Sequence, residues 1–339
     1  MDTMITDNAM LKFMPWMALP ESITVEIMTI CNLRCTHCYL YNSEGASKQL
    51  MDCGRFENIC ARLAGLIPRA KIFNFASVEA LMHPRLFDMI DLVCGINPNI
   101  KIPIYSNGML LTTGNVRKLL ERDILEVHIS LDGCTQETVE SFKTGANFHR
   151  IKENIVAALS TSGGRLKIST IFVAHRSNIH ELPHYVDFCA DLGISSINVT
   201  GFISYNPSTA DEPLYSSLGF PAVEDIFQIS EERARKRGIS FSRQGTRLKQ
   251  RDFNCLTCKI LYVTEDGTIS PCNLLARPTT LCSQNVVETT VPITYGSIFS
   301  STPEEIWQSP GYALFRKLFH NGMLPQPCRL CPMAYGVIC

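Results

Sequence analysis

The sequence predicts an α/β protein, a partial (β/α)6 TIM-like barrel followed by a small cysteine-rich domain. Segments rich in β-branched and aromatic residues alternate six times with segments of helical periodicity, and the alternation stops at Gly238. Repeated strand–helix units form a parallel sheet with right-handed crossovers, and six units are too few for the closed eight-stranded barrel. The 339 residues, 45% of them hydrophobic, are enough to bury a large core.

The six units begin with a strand that leads directly into a cysteine-rich loop. The predicted strands are 22–28, 71–76, 102–105, 125–131, 166–173 and 196–200, and the predicted helices are 56–67, 86–94, 115–121, 151–160, 179–191 and 223–237. Functional groups of such folds lie in the loops after the carboxyl ends of the strands. We therefore expect the cysteine-rich loop to be functional.

The pattern changes after Gly238, a residue type that ends helices. Residues 260–263 and 268–270 flank an Asp-Gly turn and predict a β-hairpin. Residues 303–320 predict one or two short helices interrupted near Pro310. We expect a leader at 1–20, a barrel at 21–238 and a second domain at 239–339.

Charge and hydropathy exclude several classes of partner. The chain has 31 Lys and Arg against 32 Asp and Glu, which argues against nucleic acid or an anionic membrane surface. The amino terminus lacks the basic and apolar regions of a secretory signal, and no run is long enough to span a membrane. We expect a cytoplasmic protein with a small-molecule partner. Its 15 cysteines then indicate metal or redox chemistry rather than disulfides.

Nine of the 15 cysteines fall in spaced clusters. The clusters are Cys31, Cys35 and Cys38, then Cys255, Cys258 and Cys272, and finally Cys328, Cys331 and Cys339. The other six are interpreted as small core residues, with one exception discussed below.

The first cluster, Cys31-x3-Cys35-x2-Cys38, offers three thiolates within one loop. A structural zinc site needs four protein ligands, and a fully ligated 4Fe-4S cluster also takes four. Three ligands leave one iron of a cluster open to bind another molecule. The spacing therefore favours a catalytic cluster over a structural one.

This loop resembles the signature of the radical S-adenosylmethionine (SAM) superfamily, and three later motifs extend the resemblance. Residues 77–84 (SVEALMHP) stand where that family has Gly-Gly-Glu-Pro. Ser106-Asn107-Gly108 and residues 130–133 (SLDG) resemble the motifs that follow its third and fourth strands. The four motifs occur at successive strand ends in the order of the family.

The resemblance implies a SAM-binding 4Fe-4S cluster on Cys31, Cys35 and Cys38, and cleavage of SAM to a 5′-deoxyadenosyl radical that abstracts hydrogen. It also implies a set of SAM contacts: His37, Tyr39, Ser77, Glu79, Ser106, Asn107, Ser130, Asp132 and Lys143. Three departures from the family are visible, of which the first is His37 in place of the family's usual aromatic residue before the third cysteine. Ser77 and Val78 replace the two glycines, and Lys143 stands in place of an arginine that contacts the SAM carboxylate.

The later cysteines resemble the SPASM and twitch domains of some radical SAM enzymes, which carry auxiliary iron–sulfur clusters. A full SPASM domain needs seven cysteines, whereas six are clustered here, so we expect one auxiliary 4Fe-4S cluster. Two ligand sets remain open. One is Cys255, Cys272, Cys328 and Cys331, and the other is Cys255, Cys258 and Cys272 with a single late cysteine. A structural zinc site is the alternative to an iron–sulfur cluster.

The leading hypothesis is a radical SAM enzyme that epimerises or oxidises a small sugar-containing intermediate of antibiotic biosynthesis, resembling an aminoglycoside or a nucleoside. A flavodoxin or ferredoxin-type protein would supply electrons. Epimerisation needs a thiol that returns a hydrogen atom, for which Cys134, after the fourth strand, and Cys258 are the candidates. The alternatives are a peptide or protein maturase, a sulfur-inserting enzyme, and a non-catalytic iron–sulfur or zinc scaffold.

Overall fold

The computed structural model describes residues 14–42, 48–77 and 79–337. Val78 of the second motif, Cys339 of the third cysteine cluster and most of the predicted leader lie outside these residues. In the described ranges, no helix is both long enough and apolar enough to cross a membrane.

Eight strands occur where the sequence predicts them, with small shifts at their ends, and four further strands after Gly238 are not predicted. The barrel strands are β1 (Ser22–Met28), β2 (Ile72–Ser77), β3 (Ile104–Ser106), β4 (Glu126–Ser130), β5 (Lys167–Ala174), β6 (Ser196–Gly201) and β7 (Ser240–Arg243). The later strands are β8 (Ile260–Val263), β9 (Thr268–Ser270), β10 (Thr280–Ser283), β11 (Val286–Thr289) and β12 (Gly296–Ser297).

The helices follow the strands in the alternation that the sequence predicts. They are α1 (Tyr39–Asn42), α2 (Cys53–Arg62), α3 (Leu86–Ile96), α4 (Thr113–Leu120), α5 (Gln136–Phe142), α6 (Phe148–Ser162), α7 (Leu182–Leu192), α8 (Pro221–Arg237), α9 (Pro303–Gln308) and α10 (Pro310–His320). The predicted interruption near Pro310 is confirmed, because α9 ends before Ser309 and Pro310 begins α10. The sequence pattern does not predict α1 or α5, which have only four and seven residues.

Two sheets form the wall of a partial barrel. Their strand orders are β12-β9-β8-β1-β2 and β3-β4-β5-β6-β7. β8, β1 and β2 pair in parallel, as do β3 to β7, and a parallel bridge between Ile72 and Lys101 joins the two sheets. The described strands do not close into a barrel, because β12 and β7 remain at the edges. The predicted fold class, a partial barrel with a carboxyl-terminal domain, is confirmed.

Two strands beyond Gly238 pair in parallel with strands of the barrel, which the sequence pattern does not predict. β7 pairs in parallel with β6, and its four residues (SFSR) are too few and too polar to stand out in the sequence. β8 pairs in parallel with β1, with Ser22 opposite Ile260. The predicted hairpin of the second domain therefore continues the sheet of the barrel.

The two faces of the wall differ in chemistry because strand side chains alternate between faces. On the outer face, Phe73 and Phe75 of β2 pack against Phe56 of α2, with ring centroids 6.2 and 5.7 Å apart. The inner face of β1, β2 and β8 carries polar side chains, namely Thr24, Glu26, Asn74 and Tyr262. An apolar outer layer thus holds a polar inner surface in place.

Candidate active site and auxiliary cysteine site

The first cysteine loop follows β1 and is held by the loops after other strands. Cys35 lies opposite Lys143 in a two-residue antiparallel ladder. The side-chain amide of Asn107, after β3, contacts Cys31 Sγ at 4.0 Å. The Cys38 N–H donates to the Cys35 carbonyl at 3.1 Å. The predicted loop is therefore fixed at the mouth of the barrel by the motifs that follow β3 and β4.

The three thiols of this loop are partly buried. Burial raises the pKa of Cys35 to about 12 and also raises the pKa of Cys31 and of Cys38. Thiolates become stable in such surroundings when a metal centre supplies positive charge. In the described residues, no three Cys, His, Asp or Glu side chains are gathered tightly enough for one metal ion. A 4Fe-4S cluster places each thiolate on a different iron, so its ligands lie farther apart.

Glu79 is completely buried and joins the ends of β2 and β3. The Ser106 hydroxyl donates to its carboxylate at 3.0 Å, the Asn107 N–H at 2.7 Å and the Leu81 N–H at 3.3 Å. Burial raises the pKa of Glu79 to about 7. Two predicted SAM contacts, Glu79 and Ser106, thus bind each other, which gives Glu79 a structural role that the sequence does not reveal. Ser77 is the last residue of β2.

Lys143 and Asp132 form an ion pair in which each side chain is only 2% exposed. Lys143 Nζ lies 3.1 Å from Asp132 Oδ2 and donates to the carbonyl and hydroxyl of Ser130 at 2.6 and 2.7 Å. These three contacts match the three donors of an ammonium group. The ammonium is thus engaged by Asp132 and Ser130, and its contact with the SAM carboxylate stays a prediction.

Asp132 also connects this ion pair to His37. Burial opposes the charge of Asp132, but Lys143 and His37 hold the pKa of its carboxyl below the ordinary value. His37 Nε2 lies 3.6 Å from Asp132 Oδ2, and burial lowers the pKa of His37 to about 4. His37 Nδ1 is buried with no hydrogen-bond partner among the described residues. This neutral ring nitrogen can therefore face a ligand.

An ion pair on the inner face of the barrel was missed by the sequence predictions. Glu26 of β1 is 1% exposed and accepts two hydrogen bonds from Arg277, at 2.8 and 2.6 Å. The Tyr262 hydroxyl also donates to Glu26, at 3.2 Å. Tyr39, the residue after Cys38, interacts electrostatically with Glu26. A charged residue within the apolar run SITVEIM was the signal available in the sequence.

Cys134 lies beside a carboxylate. Its N–H and its thiol donate to Glu181 Oε2, at 2.8 and 3.4 Å, and the Thr135 hydroxyl donates to the other carboxylate oxygen at 2.7 Å. Burial, together with the charge of Glu181, raises the pKa of Cys134 to about 12. The electrostatic neighbours of this thiol also include Cys189 of α7, a core residue. Cys134 therefore packs between its own loop and the helical layer.

Five cysteines of the carboxyl-terminal region converge. Cys255 and Cys258 flank the turn before β8, and Cys272 follows β9. The Cys328 thiol interacts electrostatically with the thiols of these three cysteines and of Cys331. Both predicted ligand sets therefore remain compatible with the geometry, and the predicted convergence of the hairpin and the late Cys-x2-Cys segment is observed.

Buried donors without partners surround these five thiols. Among the described residues, Arg316 Nη1, the Tyr312 hydroxyl and the Tyr215 hydroxyl have no hydrogen-bond partner. Each has one or more of the five thiols as an electrostatic neighbour. Buried donors normally find acceptors. An iron–sulfur cluster offers sulfide and thiolate acceptors, so these residues fit such a cluster.

Two family models match the chain. Residues 25–189 match the radical SAM superfamily, and residues 230–332 match the SPASM iron–sulfur cluster-binding domain. The chain belongs to the radical SAM superfamily. As a radical SAM enzyme it uses SAM and a 4Fe-4S cluster, and its SPASM domain carries auxiliary iron–sulfur.

Radical SAM proteins of several activities are similar to this chain. A tungsten-containing aldehyde ferredoxin oxidoreductase cofactor-modifying protein of Pyrococcus furiosus is 24% identical, over 91% of this chain and 86% of the relative. An AdoMet-dependent heme synthase of Methanosarcina barkeri is 23% identical, over 94% of this chain and 90% of the relative. Mycofactocin maturase MftC of Mycobacterium tuberculosis is 25% identical, over 51% and 43%.

Solved radical SAM structures share the fold. Streptococcus suis SuiB bound to S-adenosylmethionine aligns with a TM-score of 0.67 at 15% identity, over 96% of this chain and 74% of SuiB. Native anSMEcpe with bound AdoMet aligns with a TM-score of 0.62 at 15% identity, over 94% and 89%.

Proposed function

We propose that this radical SAM enzyme oxidises a carbon of a small sugar-containing molecule, such as an aminoglycoside- or nucleoside-like intermediate of antibiotic biosynthesis. Bound SAM and the first cluster would supply a radical that removes one hydrogen atom, and the auxiliary cluster would accept the second electron while a proton is released from the substrate radical. Cys31, Cys35 and Cys38 would hold the first cluster, and His37 Nδ1 would face SAM. A flavodoxin or ferredoxin-type reductant and a cytoplasmic location are parts of this proposal.

The observation that carries the oxidation is a side-chain cluster joining the two cysteine sites. Tyr205 is buried, and Tyr39, Cys272 and Cys331 pack against its cluster. Tyr39 directly follows Cys38, and its ring centroid lies 6.3 Å from that of Tyr205. Electrons cross proteins best through short packed paths. The cluster around Tyr205 therefore supports electron transfer between the barrel mouth and the auxiliary site.

The surroundings of the two candidate thiols favour oxidation over epimerisation. A hydrogen-returning thiol has to reach a substrate inside the barrel. The Cys134 thiol instead donates to Glu181 and has Cys189 of α7 as a neighbour. Cys258 lies among the five converging cysteines, beside Arg316. A ligand role for Cys258 agrees better with these neighbours than hydrogen donation does.

The substrate class is supported by the inner face of the barrel. Glu26, Arg277 and Tyr262, which bond to one another, make this surface polar, next to Tyr39 of the first loop. Paired charges and hydroxyls suit a polar, hydroxylated ligand better than an apolar one. Two of the relatives that match over most of their length are named for a cofactor and for heme, which are not peptides.

Peptide maturation is the second candidate function. SuiB bound to its precursor peptide SuiA aligns over 98% of this chain with a TM-score of 0.69, and MftC is named as a maturase. The two candidates share the initial radical chemistry and differ in the molecule that loses hydrogen. A substrate panel therefore has to contain both hydroxylated small molecules and precursor peptides.

The first experiment tests radical SAM chemistry. The reconstituted protein is incubated anaerobically with SAM and dithionite, and 5′-deoxyadenosine is measured. Cys35→Ala should lose more than the roughly 10–100-fold that removal of an outer-shell partner costs, because Cys35 would be a cluster ligand. Cys53→Ala, a change of a cysteine outside the clusters, is the matched control. Equal yields from Cys35→Ala and the unaltered protein would leave only the scaffold hypothesis.

The second experiment separates oxidation from epimerisation and from sulfur insertion. Aminoglycosides, nucleosides and peptides are incubated in deuterated water, and products are analysed by mass spectrometry. Oxidation gives a product two hydrogens lighter, whereas epimerisation gives a product of unchanged composition that carries one solvent deuterium. Sulfur insertion gives a heavier product with loss of cluster sulfide. Cys134→Ala should leave an oxidised product unchanged, and deuterium in the product that disappears in this variant would replace our proposal by epimerisation.

A further inference from the structure

Arg316 of α10 is a buried cation with no anion beside it in the part of the chain that the structure describes. Its side chain is 2% exposed, and its Nε and Nη2 donate to the backbone carbonyls of Trp16 and Trp307 at 2.8 and 2.7 Å. The guanidinium also lies over the rings of Trp307 and Tyr312, with centroid distances of 3.9 and 4.7 Å. Within the described ranges, no carboxylate lies within 4.0 Å of it.

This arrangement is costly unless a negative group approaches. Guanidinium remains protonated in proteins, and a buried charge without a counterion is strongly destabilising. The remaining nitrogen, Nη1, is buried and has no acceptor among the described residues. Backbone carbonyls and aromatic rings satisfy part of the group, but neither carries a net negative charge. Arg316 therefore lacks an anion that also accepts a hydrogen bond.

The auxiliary cysteines are the acceptors that lie next to it. Arg316, Cys255 and Cys258 line one cavity of about 520 Å³. The Tyr312 hydroxyl, one helical turn away, is likewise buried without a partner and has Cys258 and Cys272 as electrostatic neighbours. Two unpartnered donors on one helix thus face the same group of thiols. A cluster ligated by thiolates carries negative charge and sulfur acceptors on this side.

We propose that Arg316 and Tyr312 donate hydrogen bonds to the auxiliary iron–sulfur cluster and raise its reduction potential. A cation and hydrogen bonds beside the sulfurs stabilise the reduced cluster, because reduction adds negative charge. This inference rests on the proposed auxiliary cluster. It makes Arg316 a positioning and tuning residue rather than a catalytic one, and it explains why a buried guanidinium occurs here without a carboxylate.

The test measures the potential of the auxiliary cluster in the full chain. Cys31, Cys35 and Cys38 are replaced by alanine so that the auxiliary cluster is the one titrated, and the protein is reconstituted with iron and sulfide. Redox titrations followed by electron paramagnetic resonance then compare Arg316→Met, Arg316→Gln, Arg316→Lys and Tyr312→Phe. Arg117→Met is the matched control, because Arg117 is exposed on α4 and its loss changes the net charge equally.

We expect both neutral Arg316 variants to shift the reduction equilibrium at least tenfold toward the oxidised cluster, which is about 59 mV for one electron. Arg316→Lys should keep the reduction potential close to that of the starting protein, since it keeps the charge. Tyr312→Phe should shift the potential in the same direction by a smaller amount. If the neutral Arg316 variants bind no cluster, the reduction potential of the cluster in Tyr312→Phe tests the inference.

Potentials that match those of Arg117→Met in every Arg316 and Tyr312 variant would overturn the inference while leaving the auxiliary cluster in place. A starting protein that contains about one zinc and no iron–sulfur signal would instead contradict the proposed function itself. Iron, sulfide and zinc analysis of the unaltered auxiliary site therefore precedes the titrations. A lysine variant that behaves like methionine would show that packing of the planar group matters and that its charge does not.

Discussion

The two cysteine sites differ in how their surroundings are satisfied. Around the first loop, buried charges have protein partners, as in the pairing of Lys143 with Asp132 and of Glu79 with Ser106. Around the carboxyl-terminal cysteines, Arg316 Nη1 and the Tyr312 hydroxyl have no hydrogen-bond partner among the described residues. Apart from His37 Nδ1, which has no hydrogen-bond partner among the described residues, the charged groups of the barrel mouth are thus paired with protein groups, whereas the auxiliary site has buried donors without acceptors.

This difference has consequences for stability. A site whose charged groups are paired within the protein should fold in the apoprotein and lose stability when those pairs are broken. A site with unmet donors should gain stability when the cluster binds, because binding to the folded state alone favours folding. The following predictions compare the two sites, beginning with the largest expected effect.

Lys143→Met should destabilise the apoprotein by about 3–5 kcal/mol, because it leaves Asp132 buried and unpaired. Urea unfolding of the metal-free protein measures this loss. Lys143→Met combined with Asp132→Asn should recover more than about 1 kcal/mol, since the remaining side chain is then neutral. Lys71, which pairs with Glu21 on the surface, is the matched control, and Lys71→Met should cost less than about 1 kcal/mol. A similar small loss for Lys143→Met would contradict a self-sufficient barrel mouth.

Cys272→Ala should lower the melting temperature of the reconstituted protein by more than about 4 °C but change the apoprotein little. The reason is that Cys272 belongs to both predicted ligand sets, and that the buried donors around it are satisfied by the cluster. Cys35→Ala should lower the melting temperature less, because the first loop is held by protein contacts. Calorimetry on reconstituted and metal-free samples makes both comparisons. Equal losses in the two forms would mean that Cys272 acts only through packing.

The fold was predictable because hydrophobic periodicity is a local property. Strands of five to eight residues, such as β1 and β5, follow directly from their runs of β-branched residues. β7 was missed because its four residues gain their place from pairing with β6, which is a contact with a distant segment. The pairing of β8 with β1 is likewise invisible in the sequence, although both strands were predicted.

Site residues were predictable where spacing carries the chemistry. The first cysteine loop and the convergence of the later cysteines follow from the Cys-x3-Cys and Cys-x2-Cys spacings. The partners of buried charges do not follow from a short sequence spacing, because Lys143 is 11 residues from Asp132 and Arg277 is 251 residues from Glu26. Arg316 shows the same limit, since nothing around it in the sequence indicates that it is buried beside Cys258.

The smallest of these effects is expected for Glu79 at the barrel mouth, and it appears as a pH dependence of the stability of the apoprotein. Burial raises the pKa of its carboxyl from an ordinary value of 4.5 to about 7, so the folded protein retains a proton that the unfolded chain releases at lower pH. Stability from this group is present below pH 4.5 and is lost as the pH rises through 7. Between pH 5 and 7 the free energy of unfolding of the unaltered apoprotein should fall by about 2 kcal/mol more than that of Glu79→Gln.

Glu265 is the matching carboxyl of the carboxyl-terminal region. Burial also raises its pKa to about 7, and Glu26 adds to the effect, but its side chain is 24% exposed. Water therefore screens it, and Glu265→Gln should change the pH slope less than Glu79→Gln. Urea unfolding of both variants and the unaltered apoprotein at several pH values measures the slopes. If the two variants changed the slope equally, the Glu79 carboxyl would be no better shielded from water than the partly exposed carboxyl of Glu265.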